Sequence, residues 1–342
     1  MKDIWQYLKD TDKKIVIYGM GNGADKIINE LEKLGISIHG IMASDDFVRG
    51  QTFHGFTVKK LSDFSGEDIV ILTAFGSQRD DVIKHIISLS RKYTLFAPDV
   101  PVYGDNIFNS SFYELHKNEI EKVFDILADD FSKKVLENEI KFKLTGNINY
   151  LTEIFTNKDE IFKILNLNSN ESYLDLGAYR GDTIQEFLHY AKNYSHITAL
   201  EPDKKTFRKL KEYANDLHDI QLWNMGIWDS DGYVNFENSI GRGSSVSTTG
   251  QQKLAVTKID TLFRVQRVSY IKTDVEGAEF QALKGGINTL RRDKPKLNIA
   301  IYHRSEDIFT LPHLIHEINP NYKIYLRQHP HIPAWDLNLY AI

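Results

Sequence analysis

The sequence contains no cysteine. This absence excludes disulfide bonds, thiolate metal sites and cysteine nucleophiles. Long apolar runs are missing as well, since no run reaches the roughly 18 to 20 residues that a membrane span requires. Residues 1–14 alternate charged and apolar side chains and lack the apolar core of a signal peptide. We therefore expect a cytoplasmic protein that does not span a membrane.

An excess of charge of either sign is also absent. The chain carries 42 basic and 47 acidic residues, a formal net charge of -5. Its bulk charge therefore gives no attraction to a phosphate backbone, and we expect no nucleic-acid partner. The 42% of hydrophobic and 26% of charged residues are typical of a soluble globular protein. A length of 342 residues allows about two domains.

Three regions with different patterns follow one another along the chain. Residues 1–105 and 166–342 alternate short apolar runs with amphipathic stretches, which predicts two α/β domains, each a largely parallel sheet covered by helices. In the first domain the pattern indicates strands at Ile15–Tyr18, Ile36–Met42 and Ile69–Leu72, and a helix at Ala24–Leu34. Residues 106–165 between them predict a helical connector, in which apolar residues spaced three and four apart from Ile120 to Ile140 indicate one long helix.

The second α/β region contains five apolar runs that predict its strands. These runs are Tyr173–Leu176, Ile197–Leu200, Ile220–Trp223, Tyr270–Thr273 and Leu297–Tyr302. Between the third and fourth lies a Gly/Ser-rich stretch, Asn238–Gly250, flanked by two runs that indicate antiparallel strands, Tyr233–Phe236 and Leu254–Lys258. A long polar loop of this kind is typical of a lid or binding loop.

A glycine-containing turn follows the first of these strands. Asp175 ends the strand, Gly177 and Ala178 begin the turn, and Gly181 precedes a helix that Asp182 or Thr183 is suited to cap. This turn lies where open α/β sheets bind ligands. Acidic residues on both sides of it disfavour a pyrophosphate and favour a cationic ligand such as S-adenosylmethionine. An ordinary strand–turn–helix remains the alternative.

Two further segments extend the predicted cofactor site. Glu201 ends the second strand about 25 residues after Asp175, where a carboxylate is placed to accept hydrogen bonds from ribose hydroxyls. Asn224 and Gly226 follow the third strand. There an amide could hydrogen-bond to the edge of the adenine ring, and a glycine could allow the ring to approach the backbone. The segment from Asn224 to Gly226 is equally compatible with a structural turn.

The acceptor side is predicted from the ends of the fourth and fifth strands. Asp274 and Glu276 follow the fourth strand, and we expect them to bind a divalent cation, to orient the acceptor or to act as a base. Helix-capping charge is the structural alternative for Glu276 and Glu279. His303 follows the fifth strand, where a neutral imidazole could accept the proton of an acceptor hydroxyl, unless local hydrogen bonds hold it.

Four blocks of sequence resemble the FkbM-type S-adenosylmethionine-dependent methyltransferases. They are Leu174–Thr183, Glu201–Asp203, Ile271–Glu279 and Ile301–Asp307, within a likeness that extends from about Leu165 to Ile342. The resemblance implies a class I methyltransferase fold and O-methylation of sugars, glycans or polyketide-type products. Tyr179 departs from the family pattern, which usually has a small polar residue there, often asparagine.

A second glycine turn lies in the first domain. Gly19-x-Gly21-x-x-Ala24 fits the dinucleotide-binding fingerprint, and Asp45 or Asp46 ends the next strand suitably. Residues 15–58 look like Rossmann-type domains attached to sugar-modifying enzymes, which suggests a docked nucleotide-sugar. A domain retained for packing or oligomerisation is the alternative. Two other functions therefore stay open: an NAD-dependent sugar oxidoreductase or epimerase, and a non-catalytic sugar-nucleotide binding module.

Overall fold

The first 96 residues form a six-stranded sheet with helices on both faces. The computed structural model describes residues 2–237, 245–246 and 252–342. The elements of this domain are α1 (Ile4–Asp10), β1 (Lys14–Tyr18), α2 (Asn22–Lys33), β2 (Gly40–Met42), β3 (Thr52–Phe53), β4 (Phe56–Lys59), β5 (Ile69–Thr73), α3 (Asp80–Ser90) and β6 (Thr94–Phe96). The strand order is β3-β4-β2-β1-β5-β6, and all neighbours are parallel except β3 and β4.

The spacing of apolar residues explains why these segments form strands and helices. The apolar run from Ile15 to Tyr18 is buried throughout because helices cover both faces of the sheet. Helix α2 buries Ala24, Ile27, Ile28 and Leu31, the spacing of an amphipathic helix. The predicted strand at 36–42 is shortened to its last three residues.

The connector contains four helices instead of the single long helix expected at Ile120–Ile140. They are α4 (Ser110–Ile126), α5 (Asp130–Thr145), α6 (Asn149–Thr152) and α7 (Lys158–Leu165). The apolar spacing continues across the break, but Leu127 is extended and Asp129 caps α5 by accepting a hydrogen bond from the Ser132 N–H (2.7 Å). The expected single helix is therefore wrong. The apolar spacing is that of a helix throughout, but the Asp129 cap starts a new helix within it.

The C-terminal domain is built on a seven-stranded sheet. Its elements are β7 (Ser172–Leu176), α8 (Asp182–Ala191), β8 (His196–Leu200), α9 (Lys204–Tyr213), β9 (Ile220–Trp223), β10 (Gly226–Ile227), β11 (Gly232–Glu237), β12 (Ser245–Val246), β13 (Gln252–Thr257), α10 (Ile259–Leu262), β14 (Tyr270–Thr273), α11 (Glu279–Lys284), α12 (Ile287–Asp293), β15 (Lys296–Ala300), α13 (Asp307–Ile318), β16 (Ile324–Gln328) and β17 (Leu337–Ala341). All five predicted strands of its core are present.

The strand order of this sheet is β16-β17-β15-β14-β7-β8-β9. Strands β7, β8, β9, β14 and β15 run parallel, while β17 is antiparallel to both neighbours. Numbered within the domain, the order is 3-2-1-4-5-7-6, the class I methyltransferase topology that the sequence resemblance implied. The order reverses between β7 and β14, so the carboxyl ends of these strands border a crevice suited to a ligand.

A smaller sheet lies beside this core. Its strand order is β10-β13-β11-β12, and β11 pairs antiparallel with β13, as the flanks of the Gly/Ser-rich stretch predicted. The predicted loop Asn238–Gly250 lies outside the described residues, apart from the two residues of β12. Among the helices that the structure describes, none is long and apolar enough to cross a bilayer.

Candidate functional site

A cavity of about 660 Å³ opens at the carboxyl ends of β7, β8 and β14. Of the predicted site residues, Gly177, Glu201, Gly226, Asp274 and Glu276 line it. The remaining lining comes from both domains and includes Gln78 of the N-terminal domain and Trp335 near the C-terminus. The sheet therefore brings five separately predicted positions to one cavity.

The glycine turn after β7 is held against two neighbouring strands. The N–H of Gly177 donates to the carbonyl of Leu200 (3.1 Å), and its φ of +83° lies in the left-handed region that favours glycine. A Cβ at this position would overlap the carbonyl oxygen of Asp274. The absence of a side chain here thus allows the ends of β7 and β14 to touch beneath the cavity.

Three other residues of this predicted site lie behind the cavity lining. Asp175 is fully buried, accepts a hydrogen bond from the Thr183 hydroxyl (2.5 Å), and has its pKa raised by burial to about 6. Ala178 is buried as well, and a Cβ on Gly181 would overlap the ring of Tyr213. Gly181, rather than Asp182, is the residue that precedes α8 as its cap. These residues shape the turn and do not face the cavity.

Tyr179 lines the cavity in a strained conformation. Its φ is +47°, in the left-handed region that asparagine tolerates and tyrosine rarely adopts. This backbone requirement gives a physical reason for the small polar residue that the family usually has there. Its N–H donates to Oε2 of Glu201 (3.0 Å), and the Arg180 guanidinium lies 4.9 Å from its ring centre.

Glu201 joins the turn after β7 to the loop after β8. One carboxylate oxygen accepts from the Tyr179 N–H and the other from the Asp203 N–H (2.8 Å). Burial raises its pKa to about 7, although these two hydrogen bonds act in the opposite direction. Asp203 caps α9 by accepting a hydrogen bond from the Thr206 N–H (2.7 Å). The Glu201 side chain is thus fixed in orientation at the cavity wall.

The Asn224 side chain contacts the backbone of the loop after β8. Its amide donates to the backbone carbonyls of Glu201 and Pro202, both at 2.9 Å, and it does not belong to the cavity lining. These hydrogen bonds agree with the structural-turn alternative, and an adenine contact by Asn224 stays a prediction. Gly226, with Met225 and Ile227, lines the cavity and forms an apolar wall beside Glu201.

Asp274 faces the cavity from the end of β14. The ammonium of Lys272 donates to its Oδ2 (3.0 Å), and the Tyr302 hydroxyl lies 3.4 Å from its Oδ1. Burial would raise the pKa of Asp274, but the charges of Lys272 and His303 lower it to about 2. Asp274 is therefore an ionised carboxylate at neutral pH.

The loop after Asp274 contains two consecutive left-handed residues. Glu276 has a φ of +54° and Gly277 a φ of +90°. Gly277 lies under the ring of Tyr103, and its carbonyl accepts a hydrogen bond from Arg304 Nε (2.8 Å). A non-glycine residue held in the left-handed region is typical of functional sites, where surrounding contacts maintain the strain.

His303 lies in a buried cluster of carboxylates. Its Nδ1 is 3.0 Å from Glu279, and its Nε2 is 3.4 Å from Asp274 and 3.6 Å from Glu276. Burial would lower the pKa of His303, but these carboxylates raise it to about 10. A protonated imidazole has no lone pair with which to accept a proton, and His303 is only 1% exposed. The structure therefore disagrees with the expected role of His303 as a neutral base.

Among the described residues, this same cluster offers donor atoms that fit a metal ion. Asp274, Glu279 and His303 offer ligand atoms within 4.8 Å of one another. The expected cation site at Asp274 and Glu276 overlaps this group. Carboxylate oxygens with one imidazole suit a divalent ion such as Mn²⁺ or Zn²⁺ as well as Mg²⁺.

Sequence reasoning missed a polar group on the sheet face below the cavity. Lys272 and Asn298 lie opposite each other on β14 and β15, and Asn338 lies on β17. Lys158 of α7 forms an ion pair with Glu186 of α8 (2.5 Å) above them. The sequence did contain one signal for this group, the lysine inside the apolar run Tyr270–Thr273. Lysine is rarely buried in a central strand unless a partner neutralises its charge, so its presence indicates a buried polar site.

The glycine turn of the N-terminal domain is packed against its own domain. A Cβ on Gly19 would meet the ring of Phe75 at 3.0 Å, and one on Gly23 would meet the Ala74 carbonyl oxygen at 2.5 Å. Asp45 and Asp46 begin an exposed helical turn after β2. Nucleotide binding at this turn stays a prediction.

The comparison with known proteins agrees with this geometry. Residues 175–335 match the family model of the methyltransferase FkbM domain. The structure of methyltransferase FkbM from Methylobacillus flagellatus KT is similar over 96% of this chain and 90% of its own, with 21% identity and a TM-score of 0.72. That likeness covers both domains and shows the fold.

Two further solved structures are similar over about half of the chain. They are an rRNA methylase from Streptococcus thermophilus (14% identity, 53% of this chain and 93% of its own, TM-score 0.37) and Aeropyrum pernix fibrillarin in complex with S-adenosyl-L-methionine (16%, 52%, 67% and 0.33). No curated protein matches the sequence significantly. From the family match, we identify residues 175–335 as an FkbM-type methyltransferase domain.

Proposed function

We propose that the protein transfers the methyl group of S-adenosylmethionine to a hydroxyl of a sugar, a glycan or a related small molecule. The FkbM domain supports methyl transfer, and the family resemblance supports this class of acceptor. The observation that carries the proposal is the Glu201 carboxylate, which faces the cavity one strand away from the Gly177 turn.

The cofactor end of the cavity is formed by β7, β8 and the start of β10. In this proposal Glu201 accepts hydrogen bonds from the ribose hydroxyls with lone pairs that its two backbone contacts leave available. The apolar wall at Gly226 receives the adenine. Asp182, which also lines the cavity, favours the positively charged methionine end over a pyrophosphate.

Asp274 serves the acceptor in this proposal. Its carboxylate accepts a hydrogen bond from the attacking hydroxyl and aligns the oxygen with the methyl group. As the C–O bond forms and the C–S bond breaks, the acceptor oxygen becomes a strongly acidic oxonium, whose proton passes to Asp274. A carboxylate with a low pKa is basic enough for this step, because the oxonium is far more acidic.

His303 acts as a positioning residue in this mechanism. It is buried between Glu279 and the two carboxylates that face the cavity, Asp274 and Glu276. His303 follows β15, and its contacts hold those two carboxylates in place after β14. The proton of the acceptor is therefore assigned to Asp274, and the neutral-base role for His303 is not retained.

A mechanism in which a divalent cation orients the acceptor is the second candidate. The compact group of donor atoms from Asp274, Glu279 and His303 favours it. A cation held there would polarise the acceptor hydroxyl and orient it. Methyl transfer that is unchanged after exhaustive chelation, in buffer treated to remove metals, would exclude this variant of the mechanism.

Calorimetric titration of the purified protein tests the cofactor. We expect S-adenosylmethionine and S-adenosylhomocysteine to bind, and Glu201→Ala to weaken both. Tight binding of NADH with no response to either compound would contradict the proposal and favour the NAD-dependent oxidoreductase or epimerase. Binding of a nucleotide-sugar alone would favour the non-catalytic binding module.

Mass spectrometry of the product tests the acceptor. After incubation with the cofactor and candidate sugars, the mass of the methylated sugar should rise by one methyl group.

A further inference from the structure

We propose that the N-terminal domain completes the acceptor site, and that the acceptor binds in a subsite at the junction of the two domains. We define this junction subsite by Gln78, Tyr302, Trp335 and Asn298, all of which line the cavity. The inference rests on the proposed methyl transfer to a sugar-like hydroxyl. It gives the N-terminal domain a role that does not require a ligand at its own glycine turn.

The loop between β5 and α3 is joined to the segment before β17 by backbone hydrogen bonds. The Ser77 N–H donates to the Ile332 carbonyl (3.0 Å), and the Ile332 N–H donates to the Ser77 carbonyl (3.1 Å). This two-residue antiparallel bridge crosses the domain boundary directly beside Gln78. It fixes the distance between a side chain of one domain and the cavity of the other.

Gly76 allows two aromatic rings of the C-terminal domain to pack against the loop between β5 and α3. A Cβ at this position would overlap the ring of Trp335 and would come within 2.8 Å of His331. The His331 ring is oriented by a hydrogen bond from its Nδ1 to the Pro333 carbonyl (2.8 Å) and lies 5.9 Å from the Trp335 ring, centre to centre. The N-terminal domain thus determines where Trp335 is held at the cavity.

The polar groups of the subsite suit a neutral ring with several hydroxyls. Asn298 is 4% exposed, and its Oδ1 has no hydrogen-bond partner among the described residues although it belongs to a cavity-lining side chain. A buried acceptor without a donor is costly unless a ligand supplies one. Gln78 adds an amide, and Trp335 and Tyr302 add aromatic surface for the apolar face of a sugar ring.

Charge in this part of the cavity disfavours a phosphate. Lys158 is paired with Glu186 at 2.5 Å, and Lys272 is paired with Asp274 at 3.0 Å. Both ammonium groups are therefore neutralised locally. A neutral sugar fits this lining better than a phosphorylated one, because a phosphate would need a cation that is not already satisfied.

The subsite is next to the carboxylate assigned to the acceptor. Asn298 on β15 lies directly opposite Lys272 on β14, and Lys272 donates to Asp274. A ring bound between Asn298 and Trp335 therefore presents its hydroxyls on the side of Asp274. Acceptor recognition and methyl transfer would then occur in adjoining parts of one cavity.

Saturation-transfer NMR of the full-length protein, loaded with S-adenosylhomocysteine, tests the subsite. The probes are the methyl glycosides of neutral hexoses and 6-deoxyhexoses, with glucose 6-phosphate as the phosphorylated comparison. We compare Trp335→Ala, Gln78→Ala and Gly76→Ala with the wild type. Gln266→Ala is the matched control, because Gln266 is exposed on the loop before β14, at the opposite end of the strand from the cavity. Calorimetry on each variant measures S-adenosylhomocysteine affinity separately.

We expect at least one neutral glycoside to bind the wild type and the Gln266→Ala control. Trp335→Ala should abolish its signal, and Gln78→Ala should weaken its affinity roughly 5-fold, the effect of one lost hydrogen bond. Affinity for S-adenosylhomocysteine should change less than about 2-fold in every variant, and Trp335→Phe should restore part of the sugar binding.

Two outcomes would overturn the inference. One is wild-type sugar affinity in Trp335→Ala and Gln78→Ala, and the other is no binding of any neutral glycoside to the wild type. In either case, intact S-adenosylhomocysteine binding would leave the proposed methyltransferase function standing. Loss of that binding in the wild type would instead contradict the proposed function itself.

Discussion

The backbone of Gly177 packs directly against the carbonyl of Asp274, so that a Cβ on Gly177 would overlap that oxygen. This contact brings the ends of β7 and β14 together. It places the Gly177 turn, at the cofactor end of the cavity, next to Asp274, the carboxylate that we assign to the methyl acceptor. The backbones of these two residues thus lie close together beneath the cavity. Methyl transfer needs its two reactants in line and within contact distance, which requires the strand ends to lie this close.

Gly177→Ala should destabilise the protein strongly and remove cofactor binding. The substitution adds both a left-handed strain of about 1–2 kcal/mol and an overlap with Asp274 that the backbone must move to relieve. Gly55→Ala is the control, because Gly55 has a similar φ of +79° with no atom within 4 Å of the added Cβ. Urea unfolding of both variants measures the difference, and equal losses would mean that the close approach is unimportant.

Glu201→Ala should weaken S-adenosylhomocysteine binding by about 10- to 100-fold, the cost of hydrogen bonds to a charged group. His303→Ala, which removes a buried side chain outside the cavity lining, should affect that affinity far less. Because burial raises the pKa of Glu201 to about 7, affinity should also fall as pH drops below about 7. Glu201→Gln should remove that pH dependence. Equal losses from the two alanine variants would contradict the division of roles.

Asp274→Asn should lower kcat by about 100-fold or more while leaving cofactor affinity nearly unchanged. The amide keeps the shape of the side chain but is a much weaker proton acceptor. Asp182→Asn is a suitable comparison, because Asp182 lines the cofactor end of the same cavity and should change cofactor affinity instead of kcat. Single-turnover kinetics with saturating cofactor separates the two effects. A kcat for Asp274→Asn close to that of the wild type would assign the proton to another group.

The fold and the cofactor side of the site were largely predictable from the sequence. Apolar period and glycine turns gave the five core strands, and Glu201 and Gly226 follow their strands at the expected places. The contacts of Asn224 and His303 were not predictable, because each depends on partners that are distant in sequence. Asn224 binds carbonyls more than 20 residues away, and His303 is surrounded by the carboxylates after β14.

The junction subsite was equally hidden from the sequence. Gln78 and Trp335 are separated by most of the chain, and they meet through the bridge between Ser77 and Ile332. A single glutamine in a loop and a tryptophan near a strand carry no local pattern that indicates a shared site. Only the packing of the two domains brings them to the same cavity.

Glu139 of α5 is a buried carboxyl group whose protonation should control stability. It is fully buried near the ion pair between Lys143 and Asp99, and neither of its oxygens makes a hydrogen bond among the described residues. Burial raises its pKa to about 8, against the effect of Lys143. Between pH 4.5 and 8 the unfolded chain therefore binds fewer protons at this residue than the folded protein does.

Stability contributed by Glu139 should consequently be fully present below about pH 4.5 and be lost as pH rises to about 8. Glu139→Gln, which is neutral at every pH, should be more stable than the wild type at about pH 8 by a few kcal/mol at most, since one pKa unit corresponds to about 1.4 kcal/mol. Urea unfolding at several pH values measures this difference. Glu137→Gln is the control, because Glu137 is exposed and paired with Lys141. The same pH slope in Glu139→Gln as in the wild type would show that Glu139 is already ionised in the folded protein.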